Sequence, residues 1–370
     1  MSDAPPSSRA ARLTIDLRAI VANWRILRDI AAPAEVAAVV KADGYGLGAE
    51  RVAAALARAG CRDFFVARVG EGVALRSVLP IPARIFVLDG LAAGGVEEYA
   101  HHNLIPCLNQ PLDVERWSGE ARRGRRRLPA ALHVDTGMCR LGFSASDAHR
   151  LAATRPSEIE PVLVMSHLAC AEEPDHPLNA TQSRRFGELA SLFPGVPRSL
   201  ANSSGIFLGT AWRQGLCRPG VALYGVNPTP GRPNPMRPVV GLTAPVLQVH
   251  EVDAPGSVGY GAAYRTLPGA VIATVPVGYA DGFPRAAGAA MARFAGREVP
   301  IAGRVSMDLI GLDVSALGAG EVRPGMPVEL IGGADGVDRL AGAAGTIGYE
   351  VLTRLGRRFE RVYLDEDEPA

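Results

Sequence analysis

The chain has 370 residues, 39 basic and 38 acidic side chains, a formal net charge of +1, and 48% hydrophobic against 21% charged residues. This is the composition of a globular protein with chain enough for two or three domains, and it excludes a disordered or collagen-like polymer. The near-zero charge and the lack of any run approaching 18 apolar residues give no reason to expect a nucleic-acid or membrane partner; the basic run RRGRRR (122–127) reads as a solvated loop.

Residues 1–12, MSDAPPSSRAAR, lack the apolar core of a signal peptide and read as a disordered leader. From there short β-branched runs alternate with amphipathic stretches. Candidate strands span 34–42, 63–69, 84–89, 104–108, 131–136, 161–167, 198–202 and 216–224, with helical patterns between them such as 48–60, 69–79 and 179–193. Eight strand–helix repeats predict a (β/α)8 TIM-like barrel over 13–226 rather than an open sheet. The segment NPTPGRPNPMRP then marks a Pro-rich linker, 227–239. Beyond it, 240–370 reads as a mainly β C-terminal domain with one helix near 339–356. The five cysteines (61, 107, 139, 170, 217) are odd in number and lack CxxC or zinc-like spacing, so we expect a reducing cytoplasm, no disulfide framework and no metal.

Of the 39 basic residues only Lys41 is lysine; the other 38 are arginine. Arginine serves wherever a cation is solvated or paired, but it does not release its proton, whereas a lysine amine can act as nucleophile or base. Lys41 closes the apolar run AEVAAVVK and precedes Gly44, Gly46 and Gly48, the strand-end setting in which α/β proteins expose reactive groups. Other polar residues fall at later strand ends: Asp135 to Arg140, His167, Asn202 with Ser203, and Arg218 with Gly220. The last two loops occupy the usual phosphate position of a barrel. NSSG also suits an ordinary helix cap, RPG an ordinary turn, and His167 a core histidine.

VVKADGYGLG, with its lone lysine, resembles the pyridoxal-phosphate lysine segment of alanine racemases. HVDTGMCRLGF, SHLACAE, ANSSG, CRPGVALYG, GSVGYGAAY, PVGYADG and GRVSMD follow in that family's order over nearly the whole chain. The resemblance implies a barrel plus β domain, pyridoxal 5'-phosphate as cofactor, alanine as substrate, and a homodimer with shared active sites. Carried over by residue, it implies that Lys41 holds the cofactor and acts on one face of the substrate Cα, and that Tyr260 of the partner copy acts on the other. Tyr45, Ser203, Gly220 and Val221 would hold the phosphate, with Asn202 beside them. Arg218 would face the pyridine nitrogen and His167 the ring, linked to Arg218. Arg140 would approach the cofactor's phenolic oxygen or the substrate carboxylate, the Met307 N–H would help bind that carboxylate, and Tyr279 and Tyr349 would narrow the entrance. Tyr260, Tyr279 and Tyr349 also suit ordinary strand or core positions.

The chain departs from the family pattern at Leu47, where a histidine is usual, and at His133, where many members carry a carbamylated lysine that holds the active-site arginine. With Lys41 as the only lysine no such carbamate can form, so Arg140 needs another support: an anion, water or Asp135. The expected function is two-base racemisation of alanine, supplying D-alanine for peptidoglycan. A serine or broader-specificity racemase and a non-catalytic cofactor carrier are the alternatives.

Overall fold

In a computed structural model the described residues are 10–91, 95–318 and 320–365; most of the expected leader, residues 1–9, lies outside them. Backbone contacts divide the chain into two compact units. One, the barrel unit, runs over Ile20–Leu223 with Asn227–Met236; the other, the β unit, comprises the residues up to Ala19, Tyr224–Val226 and Arg237 onward.

Seven parallel strands of the barrel unit lie in sequence order: Ala38–Val39, Asp63–Val66, Arg84–Val87, Leu104–Leu108, Leu128–His133, Ile159–Met165 and Arg198–Ser199. Leu216–Cys217 pairs parallel with Glu35–Val36. Closure is completed by backbone bonds from Ala37 N–H to the Cys217 carbonyl (2.9 Å), Val39 N–H to Pro219 (3.0 Å) and Arg218 N–H to Ala201 (2.9 Å). Strand interiors are buried on both faces, as Asp63–Val66 and Leu104–Leu108 show, because helices cover the outside of a parallel sheet. Phe65 and Phe86 stack within the core with ring centroids 4.5 Å apart.

The strands expected over 198–202 and 216–224 shorten to two residues each, because ladder pairing stops where the chain turns into the Asn202 and Arg218 loops. The helical patterns become Ala49–Arg58, Val69–Arg76 and Pro177–Ala190. RRGRRR is only partly a loop: Arg122 and Arg123 end the helix Pro111–Arg123 and pair with Glu158 and Glu97.

The β unit holds a six-stranded sheet in the order Arg297–Pro300, Met291–Phe294, Pro327–Ile331, Val240–Pro245, Arg12–Asp16, Glu360–Leu364. The fifth strand in this order is the first in the chain: Arg12–Asp16, at the boundary between the expected leader and barrel, pairs antiparallel with Val240–Pro245 and parallel with Glu360–Leu364. Its alternate burial matches that of Val240–Pro245, so both strands cover one apolar face. Ala11 is already buried and accepts from Glu360 N–H, so the leader does not extend to residue 12.

A three-stranded sheet (Gln248–Glu251, Val271–Val275, Ile310–Asp313) and a hairpin (Gly256–Val258 with Tyr264–Thr266) complete the unit. The single helix expected near 339–356 is two, Gly336–Ala344 and Gly348–Arg354, because Gly345 takes a left-handed φ of 67° and ends the first.

Candidate active site

In the barrel unit the sequence-predicted residues sit where the strands end. Lys41 follows Ala38–Val39 and opens a turn, Lys41–Tyr45, that is not an ordinary helix. Ala42, Asp43, Gly44 and Tyr45 have left-handed φ of 53°, 55°, 61° and 54°. For each non-glycine residue that conformation costs about 1–2 kcal/mol, so surrounding bonds must hold it. They do: Gly46 N–H reaches the Ala42 carbonyl (2.7 Å), Gly48 N–H the Asp43 carbonyl (2.8 Å), and Asp43 Oδ1 takes Ala49 N–H (3.0 Å). A Cβ at Gly44 would come within 3.1 Å of the Ala49 backbone, closer than side chains ordinarily pack.

The turn aims Tyr45 inward, 7% exposed, so that a Cβ added at Gly220 would fall on its hydroxyl. Ser203, buried beside them, accepts from Gly220 N–H (3.0 Å) and Ala222 N–H (3.2 Å) through its Oγ. Val221 is buried and opens the short turn that follows. Asn202 is spent locally: its Oδ1 caps Gly205 N–H at 2.9 Å, as an ordinary cap would.

Five basic side chains converge electrostatically at this pole. Burial lowers the Lys41 amine below its ordinary pKa and Arg140 lowers it further, while Glu71 and Asp89 oppose. His167 is held well below its usual value by burial, then by Arg218, Arg140, His133 and Lys41. Burial pulls the Arg218 guanidinium down to about 10. It donates to the Ser166 carbonyl (2.5 Å) and to Ser199 Oγ, and lies over the Phe65 ring. The expected link from His167 to Arg218 is therefore electrostatic, since the hydrogen bonds of Arg218 go to Ser166 and Ser199. The His167 loop is fixed instead by Gln182, which donates to the His167 carbonyl (2.8 Å) and accepts from Ala169 N–H (2.8 Å).

The His133 site shows how the departure from the family pattern is accommodated. Asn109 Nδ2 donates to the Leu88 and Cys107 carbonyls, both at 3.0 Å, which leaves Asn109 Oδ1 as acceptor. His133 Nδ1, 2.7 Å away, must therefore carry the proton, and the imidazole is neutral with an acceptor Nε2. Burial, Arg218 and Arg140 push its pKa down to about 4. Arg140 is exposed, with no hydrogen bond or ion pair among the described residues. Asp135, one of its expected supports, acts on the loop rather than the guanidinium, accepting from Gly137, Met138 and Cys139 N–H at 2.9, 3.0 and 3.2 Å.

Tyr260, Tyr279, Met307 and Tyr349 belong to the β unit. Tyr260 sits in the loop of the hairpin Gly256–Val258/Tyr264–Thr266, 71% exposed, between Gly259 and Gly261 with φ of 72° and 71°. Tyr264 anchors that hairpin by donating its hydroxyl to Asp313 Oδ2 at 2.7 Å. Met307 and Tyr279 are brought together: Ala280 N–H donates to the Met307 carbonyl and Tyr279 N–H to the Ser306 carbonyl, both at 3.0 Å. Buried Asp281 fixes this turn by accepting from Gly278 N–H (2.8 Å) and pairing with Arg358 (3.1 Å). Gly356 N–H donates to the Asp281 carbonyl at 2.8 Å, tying the end of the Tyr349 helix to the same turn.

Asn109, Gln182, Ser166 and Ser199 were not singled out by sequence. Each acts through hydrogen bonds that hold a site element, a role without a local pattern. Among the described residues no group of histidine, cysteine and carboxylate side chains could hold a metal ion, and no helix is long and apolar enough to cross a membrane.

The fold and pole define a class: a parallel barrel with its only lysine at a strand end, Tyr45, Ser203 and Gly220 packed together nearby, and a second unit built mainly of strands. Models of the alanine racemase N-terminal and C-terminal domains match residues 15–228 and 239–363. The chain is 54% identical over 357 residues to the alanine racemase of Rhodospirillum rubrum, covering 95% of this chain and 96% of that protein. It is 48% identical to the catabolic alanine racemase of Mesorhizobium japonicum, covering 97% and 95%. The crystal structure of Bartonella henselae alanine racemase with covalently bound pyridoxal phosphate superposes with a TM-score of 0.91 at 40% identity, covering 96% of this chain and 99% of that one. The chain belongs to the alanine racemase family.

Proposed function

We infer that this chain interconverts L-alanine and D-alanine with pyridoxal 5'-phosphate attached at Lys41. The observation that carries this reading is the sole lysine, at the barrel pole, its amine pKa lowered by burial and by Arg140. The residues present fit the cofactor. Arg140 and Arg218 give the pole a positive charge that suits an anionic cofactor, and the backbone at Gly220 stays bare because a Cβ there would fall on the Tyr45 hydroxyl. When bound, the cofactor supplies an electron sink that acidifies the Cα–H of an attached amino acid.

Tyr45, Ser203, Gly220 and Val221 would hold the phosphate, with Asn202, His167 and Tyr349 as further cofactor contacts. Arg218, a donor that stays charged, would leave the pyridine nitrogen unprotonated. Inversion requires proton removal on one face of Cα and delivery on the other. Lys41 Nζ is assigned one face; its lowered pKa raises the neutral, basic fraction near pH 7. Tyr260 Oη is assigned the other. A proton-transfer group works from a fixed and sheltered position, whereas Tyr260 is 71% exposed on a hairpin tip. That exposure supports a homodimer in which a second copy receives the hairpin. Arg140 and the Met307 N–H would bind the carboxylate, and Tyr279 with Tyr349 would limit the side chain admitted.

We place the enzyme in the cytoplasm, with D-alanine for peptidoglycan as its product. Incubation with L-alanine and L-serine in deuterated water tests the activity: Cα exchange with inversion for alanine alone is expected. Exchange with neither would favour the carrier reading. Deleting the gene tests the role, since a D-alanine requirement is expected for supply to the wall and absent for a catabolic enzyme.

A further inference from the structure

We propose that Glu71 is a positioning residue for Lys41, a single carboxylate that ties the left-handed turn after the lysine to the end of the neighbouring barrel strand. Glu71 Oε1 accepts Ala42 N–H at 2.7 Å. Its Oε2 accepts Ala67 N–H at 2.7 Å and Arg68 N–H at 3.1 Å. Ala67 and Arg68 directly follow the strand Asp63–Val66, whose Phe64 and Phe65 pair in register with Ala38 and Val39. One side chain therefore bonds the first residue beyond Lys41 and the first two beyond the adjacent strand.

The geometry gives this carboxylate a specific task. Ala42 starts the run of left-handed residues, so its N–H is the point at which the turn departs from the strand direction. An ionised carboxylate accepting backbone N–H groups makes stronger bonds than a neutral acceptor, and three donors on one carboxylate fix its two oxygens in both position and charge. Loss of the Ala42 bond leaves the turn free to relax toward ordinary φ, which would swing the Lys41 side chain. Displacing a reacting group by about 1 Å can cost on the order of 10²-fold in rate. The same carboxylate contributes charge. The charged and titratable groups acting on Lys41 are Arg140, Glu71, Asp89 and His167, and of these Glu71 and Asp89 favour the protonated amine.

The proposal rests on the reading of Lys41 as the cofactor-bearing base, and its two components separate by substitution. Glu71→Gln removes the charge and turns one acceptor into a donor facing N–H groups. Glu71→Asp keeps the charge but is one methylene too short to reach both turns. In the holoenzyme, Glu71→Gln is expected to lower kcat by about 10–100-fold with little change in KM. The acid limb of its kcat profile should move to lower pH, because a charge favouring the protonated amine is gone. Glu71→Asp should lose kcat comparably while keeping the acid limb in place. Since the chain has one lysine, ¹⁵N-lysine labelling gives a single side-chain resonance that follows Lys41 alone in each variant.

Wild-type kcat and an unmoved acid limb in both folded variants would overturn the proposal. Where the variants do not fold, amide exchange in the unsubstituted holoenzyme decides. Slow exchange at Ala42 supports the clamp, and exchange at the rate of an unstructured amide overturns it. Failure of the underlying reading shows separately, as no pyridoxyl group on the Lys41 peptide after borohydride reduction of the unsubstituted protein.

Discussion

The barrel pole and the β-unit turns hold their candidate residues in opposite ways. At the pole Tyr45, Ser203 and Arg218 are 7%, 3% and 4% exposed, each locked by backbone or by close packing. In the β unit Tyr260, Met307 and Tyr279 are 71%, 53% and 39% exposed, on short turns whose backbone is fixed but whose side chains are not. The pole is buried and bonded in ways that shift pKa values. The contrast sets buried, bonded barrel side chains against exposed side chains carried on β-unit turns of fixed backbone.

The largest effect should come from removing the amine. Lys41→Arg keeps the charge but cannot release its proton, and should abolish racemisation together with borohydride labelling of the chain. Retained labelling would break the contrast at its strongest point. Tyr260→Phe should lower racemisation by about 10²–10⁴-fold, the usual contribution of one positioned acid or base. Cofactor attachment at Lys41 should survive, and residual Cα exchange should be confined to one face. Loss of the cofactor in Tyr260→Phe would show that the pole is not complete without the β-unit residue.

Much of this arrangement was legible in the sequence, and the illegible parts share a cause. The strand Leu104–Leu108 appears where the β-branched run predicted it, and Lys41 stands at a strand end because an apolar run meets a glycine cluster there. Local patterning is a strong signal for such elements. The pairing of Arg12–Asp16 is not legible in the sequence because its partners, Val240–Pro245 and Glu360–Leu364, lie more than two hundred residues away and leave no trace in the local pattern. The left-handed turn was hidden for another reason: Ala42 and Tyr45 are not residues that announce positive φ, and surrounding bonds impose it. Glu71 and Asn109 were missed because a side chain that accepts a backbone N–H, or sets the tautomer of a neighbour, looks like any other helix or loop residue.

A smaller effect than those of Lys41 and Tyr260 is expected at the cradle. Gly220→Ala puts a methyl group on the Tyr45 hydroxyl, and overpacking of this kind costs about 1–3 kcal/mol. If the cradle holds the phosphate, cofactor affinity measured by equilibrium dialysis should fall by about 5–150-fold, with activity restored at saturating cofactor. An unchanged affinity would remove the phosphate from Tyr45 and Gly220.

The least effect on turnover, and the sharpest on the contrast itself, is expected from acid. His133 is buried and neutral in the barrel unit, whereas the only histidine of the β unit among the described residues, His250, is exposed. The folded His133 pKa is lowered from 6.5 to about 4. Between those values the unfolded chain binds a proton that the native barrel refuses, so the stability contributed by neutral His133 is complete above about pH 6.5 and is lost as pH falls toward 4. The shift corresponds to about 3 kcal/mol over that window. Melting followed from pH 7 to pH 4.5 should therefore show a fall in Tm that is reduced in His133→Gln, which keeps a donor for Asn109 but does not titrate. An equal fall in both proteins would assign the acid sensitivity elsewhere. The same variant should leave activity indifferent to added bicarbonate, as in the unsubstituted chain, because neither contains a second lysine to carry a carbamate.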